Sequence, residues 1–263
     1  MKKRLTNIFF AFTLLLCCSK VGAQEEREPL FVSLGSTCQV TSYFRQAGIT
    51  GSFPFDKLLT PDGNGLVSLL RNDFAGFLDQ RSLHQDKQFI SINYRVINKR
   101  YNIDFRYDWH DLDDSFEEDL PKIQEKYQKR IDNFRQLANY TGKVYFVRSA
   151  YPTGYPLNPN FYLPKLTNDS DIIFSSQAKK LKEVLCQKFP NLDFELIILN
   201  FAELRSPNIT GLDKVIEYKI KGSQATQDFL QLYENLKKRN FSKSHGDKTS
   251  QAKAYATMCL LVP

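Results

Sequence analysis

A cysteine at the end of an apolar run is the first residue of this chain whose position suggests chemistry. Cys38 follows Gly35-Ser36-Thr37, which come directly after the apolar stretch 30–34. If Ser36 or Thr37 caps a helix, Cys38 lies in its first turn, where unpaired backbone N–H groups and the helix dipole favour a thiolate. The same N–H groups would stabilise an oxyanion during acyl transfer. The pattern therefore indicates a nucleophilic cysteine, and its alternative is a small buried side chain under a common turn.

A thiol nucleophile needs a general base, and the chain has three histidines. His84 and His245 lie in polar stretches, whereas His110 lies among acidic residues and directly before Asp111. Nearby carboxylates favour the charged imidazole and fix its tautomer. We therefore predict that His110 is the base for Cys38, with a surface histidine in an acidic turn as the alternative.

A third catalytic residue would orient the imidazole, and the sequence offers more than one candidate. Asp111 is adjacent to His110, and Asp56 ends the stretch Ser52-Phe-Pro-Phe-Asp. Asn200 is a further possibility because it follows a predicted strand. The alternative role of Asp56 is that of a turn former or helix cap.

The acidic residues near His110 do not form a recognisable metal-binding motif. One histidine with Asp108, Asp111, Asp113 and Asp114 lacks the spacing of a zinc site, and no EF-hand loop is present. We expect no metal and no cofactor, although calcium at this acidic turn stays open.

The elements that must position these residues follow from hydrophobic periodicity. The sequence predicts strands at 30–34, 144–147, 194–199 and 215–220, and helices at 38–46, 61–77, 116–140, 175–189 and 226–240. Strand, helix and strand in that order imply parallel strands with crossover helices. The predicted fold is a single α/β domain with a mostly parallel sheet flanked by helices, in Rossmann-like or flavodoxin-like layers. A small strand pair is predicted around residues 89–105.

Ligands of such folds gather at the carboxyl ends of the parallel strands. Ser36 and Thr37 follow the first predicted strand, Arg148 ends the strand at 144–147, and Asn200 ends the strand at 194–199. These four residues are the predicted substrate-binding residues. The guanidinium of Arg148 would hold a carboxylate or phosphate, or would form a salt bridge at the sheet edge.

The first residues of the chain differ from the rest. A basic start, an apolar run at 8–18 and the small residues Val21-Gly22-Ala23 are typical of a secretory signal peptide cut near Ala23. The run is too short to span a membrane. Lipid anchoring at Cys17 or Cys18 is less favoured because the preceding residue is not small. We expect residues 24–263 to form one exported domain, with a long loop at 151–168 and a loose polar segment at 240–250.

Charge and cysteine content narrow the function classes. Removal of residues 1–23, which carry four basic residues and no acid, lowers the formal net charge from +7 to +3. This modest excess does not indicate a nucleic-acid partner.

Cys38, Cys186 and Cys259 remain, and an odd number leaves at least one thiol free or paired between chains. A bridge between Cys186 and Cys259 would leave Cys38 free. The oligomeric state stays open.

Several short motifs occur in order and carry a resemblance. They are Ser33-Leu-Gly-Ser-Thr-Cys38, Ser52-Phe-Pro-Phe-Asp56, His110-Asp111 and Tyr145-Phe-Val-Arg148. Together they resemble a bacterial family of unknown function described as papain-like cysteine peptidases, over about residues 31–200. The chain departs from the family pattern at Lys57 and Leu112. The resemblance implies that Cys38 is the nucleophile and His110 the base.

Two functions from different classes are consistent with these patterns. The first is an exported cysteine hydrolase that cleaves a peptide, amide, ester or glycan-linked substrate through an acyl-thioenzyme. The alternative is a non-catalytic or glycan-processing α/β module that binds a carbohydrate or an anion at Ser36, Thr37 and Arg148. The distance between Cys38 and His110 discriminates between them.

Overall fold

The structure, a computed structural model, describes residues 27–36, 38–60, 63–86, 95–105, 108, 116–149, 175–201, 211–221 and 224–244. Within these ranges the strands are β1 (Leu30–Ser33), β2 (Leu83–Asp86), β3 (Arg95–Asn98), β4 (Ile103–Asp104), β5 (Val144–Ser149), β6 (Phe194–Phe201) and β7 (Val215–Ile220). The α-helices are α1 (Gln39–Gln46), α2 (Gly63–Arg71), α3 (Phe116–Gln136), α4 (Ser175–Lys188) and α5 (Ala225–Ser244).

The main sheet is parallel throughout the described strands. Its order is β1-β5-β6-β7, and each neighbouring pair runs in the same direction. Strand β5 is buried along its whole length because it lies in the interior of the sheet. The predicted parallel sheet is confirmed, including β7 as an edge strand.

Helices cover both faces of this sheet. Alternate residues of β1 show this, since Val32 packs in a core with α2, α3 and α4, and Phe31 packs in a second core with α1 and α5. A strand places successive side chains on opposite faces, so the apolar runs of β1, β5 and β6 supply both cores. The predicted single α/β domain, with helices on both faces of the sheet, is confirmed.

Helix α1 forms because its apolar residues recur on one side. Val40, Tyr43 and Phe44 are buried in the second core, at the spacing of one helical face. Gly48, with φ of +70°, ends the helix by donating its N–H to Arg45 O at 3.2 Å. Ile49 donates to Phe44 O at 2.8 Å, which completes a Schellman motif. This end fixes the direction in which the chain leaves the helix.

A second, antiparallel sheet has the order β2-β3-β4. The predicted small sheet around residues 89–105 is therefore confirmed, but it has three described strands and its bounds differ. Strand β3 ends at Asn98, whose amide donates to the backbone oxygens of Gly76 and Phe77 and accepts from the N–H of Tyr101. Its partners are β2 and β4. The first predicted run of the pair, 89–94, lies outside the described residues.

The helix predicted at 61–77 is shorter in the structure. Helix α2 ends at Arg71, and the following residues form turns in which Asp73 and Phe74 have φ of +46° and +65°. The prediction was wrong here because tertiary packing overrides the helical pattern. The Phe74 ring stands edge-on to Phe134 at 5.7 Å and stacks on Phe55 at 5.9 Å.

The remaining helices agree with their predictions, with one difference at the end of α5. Helix α3 continues as a short 3-10 turn at Leu137–Asn139, and α5 extends to Ser244, four residues beyond the predicted end. The predicted loose segment 240–250 thus begins inside α5, and its residues after 244 lie outside the described ranges. The predicted signal peptide at 1–23 and the loop at 151–168 lie outside them as well. No helix within the described ranges is long and apolar enough to cross a membrane.

Candidate functional site

The turn that carries Cys38 leaves the sheet at the carboxyl end of β1. Leu34 still pairs with β5, since its N–H donates to Val147 O at 2.8 Å. Cys38 directly precedes α1, and its carbonyl accepts from Ser42 N–H at 3.0 Å, so its backbone already follows the helix. Its thiol is partly exposed and forms no disulfide. A partly exposed cysteine at a helix start therefore lies at the edge of the sheet where ligands of such folds bind.

The shape of this turn depends on Thr60, a fully buried residue that the sequence analysis did not identify. Its Oγ1 accepts from Ser36 N–H at 2.7 Å, and its own N–H donates to Ser36 O at 3.1 Å. Gly35 has φ of +72°, and a Cβ there would lie 2.7 Å from Thr60 Oγ1. A glycine is required because a side chain would collide with that hydroxyl. No local pattern singles out a threonine 24 residues away.

Arg148 joins the end of β5 to the same turn. Its Nη1 donates to Leu34 O at 2.9 Å and to Thr60 Oγ1 at 2.8 Å, and its Nη2 donates to Thr60 O at 2.6 Å. The side chain is only 2% exposed. These hydrogen bonds satisfy a buried guanidinium with loop oxygens and hold the turn against the sheet. The role of Arg148 in binding substrate stays a prediction.

Asn200 lies at the carboxyl end of β6, next to β5. Its Nδ2 donates to Glu217 Oε1 at 2.8 Å, and the side chain is almost completely buried. The neighbouring residue Leu199 pairs with Ser149, the last residue of β5. The structure thus brings the ends of β1, β5 and β6 to one edge of the sheet, as the strand pattern predicts.

Asp56 lies in a tight turn that packs against α1. Its Oδ2 accepts from Phe53 N–H at 2.8 Å, and the next residue, Lys57, donates its N–H to Thr41 Oγ1 at 3.3 Å. Asp56 is 8% exposed, and burial raises the pKa of its carboxyl to about 6, although the Phe53 N–H, Arg130 and Lys57 act to lower it. Asp56 therefore forms the turn and also supplies a carboxyl that titrates near neutral pH.

Helix α3 connects this turn with the segment that leads to His110. Arg130 donates to Asp56 O at 3.4 Å and lies 5.3 Å above the ring of Tyr127. Tyr127 donates its hydroxyl to Asp108 Oδ2 at 2.6 Å, and Lys126 forms an ion pair with the same carboxylate. Burial and the Asp108 charge raise the pKa of Tyr127 well above its usual value, which keeps the phenol protonated as a donor. Asp108 is held two residues before His110.

Strand β4 is a second connection between the turn and this segment. Asp104 exchanges two backbone hydrogen bonds with Leu59, of 2.9 and 3.1 Å, and Leu59 directly precedes Thr60. Asp104 is itself buried. The bridge joins β4 to the residue directly before Thr60, and sequence analysis missed it because it links distant residues.

Three of the predicted site residues, Thr37, His110 and Asp111, lie outside the described residues. Those that are described fall into two groups: Cys38, Ser36, Arg148 and Asn200 lie at the carboxyl edge of the sheet, and Asp56 lies beside α1. Among the described side chains, no three from His, Cys, Asp and Glu are grouped as metal ligands.

Comparison with known proteins gives one family and one relative. A sequence model of the family described as "Putative papain-like cysteine peptidase (DUF1796)" matches residues 29–203. The chain is also similar to "Uncharacterized protein R408" of Acanthamoeba polyphaga mimivirus, with 25% identity over 142 residues. These residues are 47% of this chain and 63% of the viral protein, so the chain spans less than two thirds of that relative. No solved structure matches the chain.

Proposed function

We propose that this chain, which belongs to the family described as "Putative papain-like cysteine peptidase (DUF1796)", hydrolyses peptide or amide bonds with Cys38 as the nucleophile and His110 as the base. The family description supports cysteine hydrolase chemistry in general. The Cys–His pair, the reaction and the export of the protein are parts of the proposal. Ser36, Thr37, Arg148 and Asn200 would contact the substrate at the sheet edge.

The observation that supports the pair is a continuous set of hydrogen bonds from the Cys38 turn towards His110. Ser36 is bonded to Thr60, and the adjacent Leu59 is bonded to Asp104 of β4. Beyond β4, Asp108 donates its N–H to Phe105 O at 3.0 Å, and its carboxylate accepts a hydrogen bond from the Tyr127 hydroxyl. His110 follows Asp108 by two residues in the sequence.

The proposed reaction gives each of these residues a role. The Cys38 thiolate attacks the carbonyl carbon, and the oxyanion that forms accepts hydrogen bonds from the first N–H groups of α1. The His110 imidazolium gives its proton to the leaving amine, and the C–N bond breaks to leave an acyl-thioenzyme. His110 then takes a proton from water, whose oxygen displaces the thiolate and releases the carboxylic acid. Asp111 and Asp56 are the candidates for orienting the imidazole.

The test compares two cysteines of the same chain. Cys38 at the start of α1 and Cys186 in the last turn of α4 are both partly exposed and without a disulfide. Iodoacetamide labelling at about pH 6, read by peptide mass spectrometry, is expected to modify Cys38 at least about tenfold faster than Cys186, because only the thiolate reacts. His110→Ala is expected to abolish this difference.

The matched control is His84→Ala, which removes a histidine of the antiparallel sheet and is expected to leave both rates unchanged. Equal labelling of the two cysteines in the unmodified chain would refute the hydrolase. It would favour instead a module that binds a ligand at the strand ends.

A further inference from the structure

A cleft of about 280 Å³ runs along α1, between this helix, the loop that follows it and α3. Thr41 and Arg45 line it from α1, Asp56 and Lys57 from the loop, and Arg130 from α3. Its volume is slightly below the usual range for small-molecule sites, about 300–1,000 Å³. The cleft therefore has room for about one amino-acid residue of a ligand.

Three cations line this cleft together with one carboxyl group. Arg45, Lys57 and Arg130 form no salt bridge with any residue in the described part of the chain. Arg130 differs in this from the other basic residues of its own helix, each of which pairs with a carboxylate, namely Lys122, Lys126, Lys129 and Arg135. Cations that are left unpaired around a concave surface favour an anion there, because charge-assisted hydrogen bonds are the strong ones.

The two cleft residues of α1 lie on the same side of this helix as Cys38. Cys38, Thr41 and Arg45 are spaced at i, i+3 and i+7, which places them in one row on a helix. The carbonyl of Cys38 accepts from Ser42 N–H, so Cys38 is in register with this row. At 1.5 Å per residue, Arg45 lies about 10 Å from Cys38 along the axis. That distance is about three residues of an extended peptide.

We infer that this cleft binds a carboxylate of the peptide substrate, either an acidic side chain or the chain terminus, within about three residues of the bond that Cys38 cleaves. The inference rests on the proposed hydrolase function. Arg45, Lys57 and Arg130 are the specificity-determining residues, and Thr41 supplies a hydroxyl between them and the nucleophile.

The charge of Asp56 makes this binding depend on pH. The groups around its carboxyl are Lys57 and Phe53 N–H from its own turn, Arg130 and Tyr127 from α3, and Arg45 and Thr41 across the cleft from α1. Tyr127 stays neutral because burial raises the pKa of its phenol well above the usual value. Asp56 has a pKa of about 6 and loses its negative charge below it. Carboxylate binding is therefore expected to strengthen as the pH falls from about 7 to about 5.

The experiment uses three capped tripeptides and the Cys38→Ala chain, which binds without cleaving. Acetyl-Ala-Glu-Ala-amide carries a side-chain carboxylate, acetyl-Ala-Gln-Ala carries a terminal carboxylate, and acetyl-Ala-Gln-Ala-amide carries neither. Calorimetric titration is expected to show that one or both carboxylate peptides bind at least about tenfold tighter than the neutral one. The tighter of the two identifies the source of the carboxylate. Equal binding of all three peptides overturns the inference.

Two variants locate the binding. Arg45→Gln changes an exposed side chain that forms no hydrogen bond or salt bridge within the described part of the chain, so it is expected to fold and to reduce the carboxylate preference at least about threefold. Lys129→Gln is the matched control, since it removes one exposed charge next to Arg130 but outside the cleft. The carboxylate preference of Lys129→Gln is expected to stay unchanged. If both variants weaken binding alike, the preference comes from the general positive field and the inference fails.

Labelling separates this inference from the proposed function. In the chain that retains Cys38, the tighter carboxylate peptide is expected to slow iodoacetamide modification of Cys38 and to leave Cys186 unaffected. Binding without such protection would refute a substrate role for the cleft, even where the His110 test supports the hydrolase. A failed His110 test, with the peptide still bound and Arg45-dependent, would refute the hydrolase and leave the cleft as a carboxylate site.

Discussion

The Asp56 carboxyl combines two roles that are normally in conflict. It forms the Phe53–Lys57 turn through its hydrogen bond to Phe53 N–H, and it is a buried ionisable group beside a cleft. An amide would form the same hydrogen bond without the cost of burying a charge. A carboxylate in this place is therefore a feature that stability alone does not favour, as is common at functional sites.

The buried charge of Asp56 is expected to lower the free energy of unfolding at neutral pH. Burial raises the pKa of Asp56 from its usual 3.8 to about 6, so the folded chain holds this proton more tightly than the unfolded chain. The contribution of Asp56 to the free energy of unfolding is unaffected below about pH 4, falls as the pH rises to about 6, and stays low above it. Asp56→Asn is thus expected to be more stable than the unmodified chain at pH 7, by up to about 3 kcal/mol, and equally stable near pH 4.

Urea unfolding at the two pH values measures this difference. Asp132→Asn, an exposed carboxylate on α3, is the control and is expected to change stability by less than about 1 kcal/mol at both. A variant that is less stable than the unmodified chain at pH 7 would show that ionised Asp56 is compensated in the fold.

At the scale of elements, α3 is the part of the chain that holds the site together. One turn of this helix contacts the Asp56 turn through Arg130 and the Asp108 segment through Tyr127 and Lys126. A second contact, the backbone bridge between Leu59 and β4, joins the loop before Thr60 to the strand that precedes Asp108. Asp108 and strand β4 are therefore each held by elements distant in sequence.

Tyr127→Phe removes one of these contacts and leaves the ring packing intact. The lost hydrogen bond to a carboxylate is expected to lower the free energy of unfolding by about 1–3 kcal/mol. If α3 positions His110 through Asp108, the labelling advantage of Cys38 over Cys186 falls at the same time. Both quantities are measured on one sample, by urea unfolding and by peptide mass spectrometry.

Tyr145→Phe is the matched control for this change. Tyr145 is also a buried tyrosine, but it lies on the other face of the sheet, and its hydroxyl donates to Asn240 Oδ1 at 3.4 Å. This variant is expected to lose stability without any effect on Cys38. A Cys38 rate that is the same in Tyr127→Phe as in the unmodified chain would mean that Asp108 does not position the base.

At the scale of the whole molecule, the described domain begins close to the predicted signal peptide cut. Strand β1 starts at Leu30, a few residues after Ala23. Export remains a prediction from the basic start, the apolar run and the small residues at 21–23. In a secreting bacterial host, the processed chain is expected to begin at Gln24, as measured by intact mass and N-terminal sequencing.

Ala23→Arg is the informative variant for this prediction. A large charged residue directly before the cut is expected to block processing and leave the chain at its full mass. A product that begins at Cys17 or Cys18 with an added lipid mass would instead establish the lipoprotein alternative. A native product that keeps Met1 would rule out both.

The sequence by itself determined which segments become strands and helices and which end of the sheet carries Cys38. Periodicity reports which side of an element is buried, and the order of strand and helix implies parallel pairing, so β1, β5, β6 and β7 were predictable. The helix predicted at residues 72–77 is wrong for a related reason. Those residues carry helical spacing, but Phe74 is placed by rings from α3 and the Pro-Phe-Asp turn.

Only the tertiary structure decided what the site residues contact. Thr60 binds Ser36 and Arg148 across separations of 24 and 88 residues, and Arg130 meets Asp56 across 74. The cleft of unpaired cations likewise forms from three separate segments. Local pattern could not reveal these contacts, because it encodes how a residue faces the core and not which distant partner meets it there.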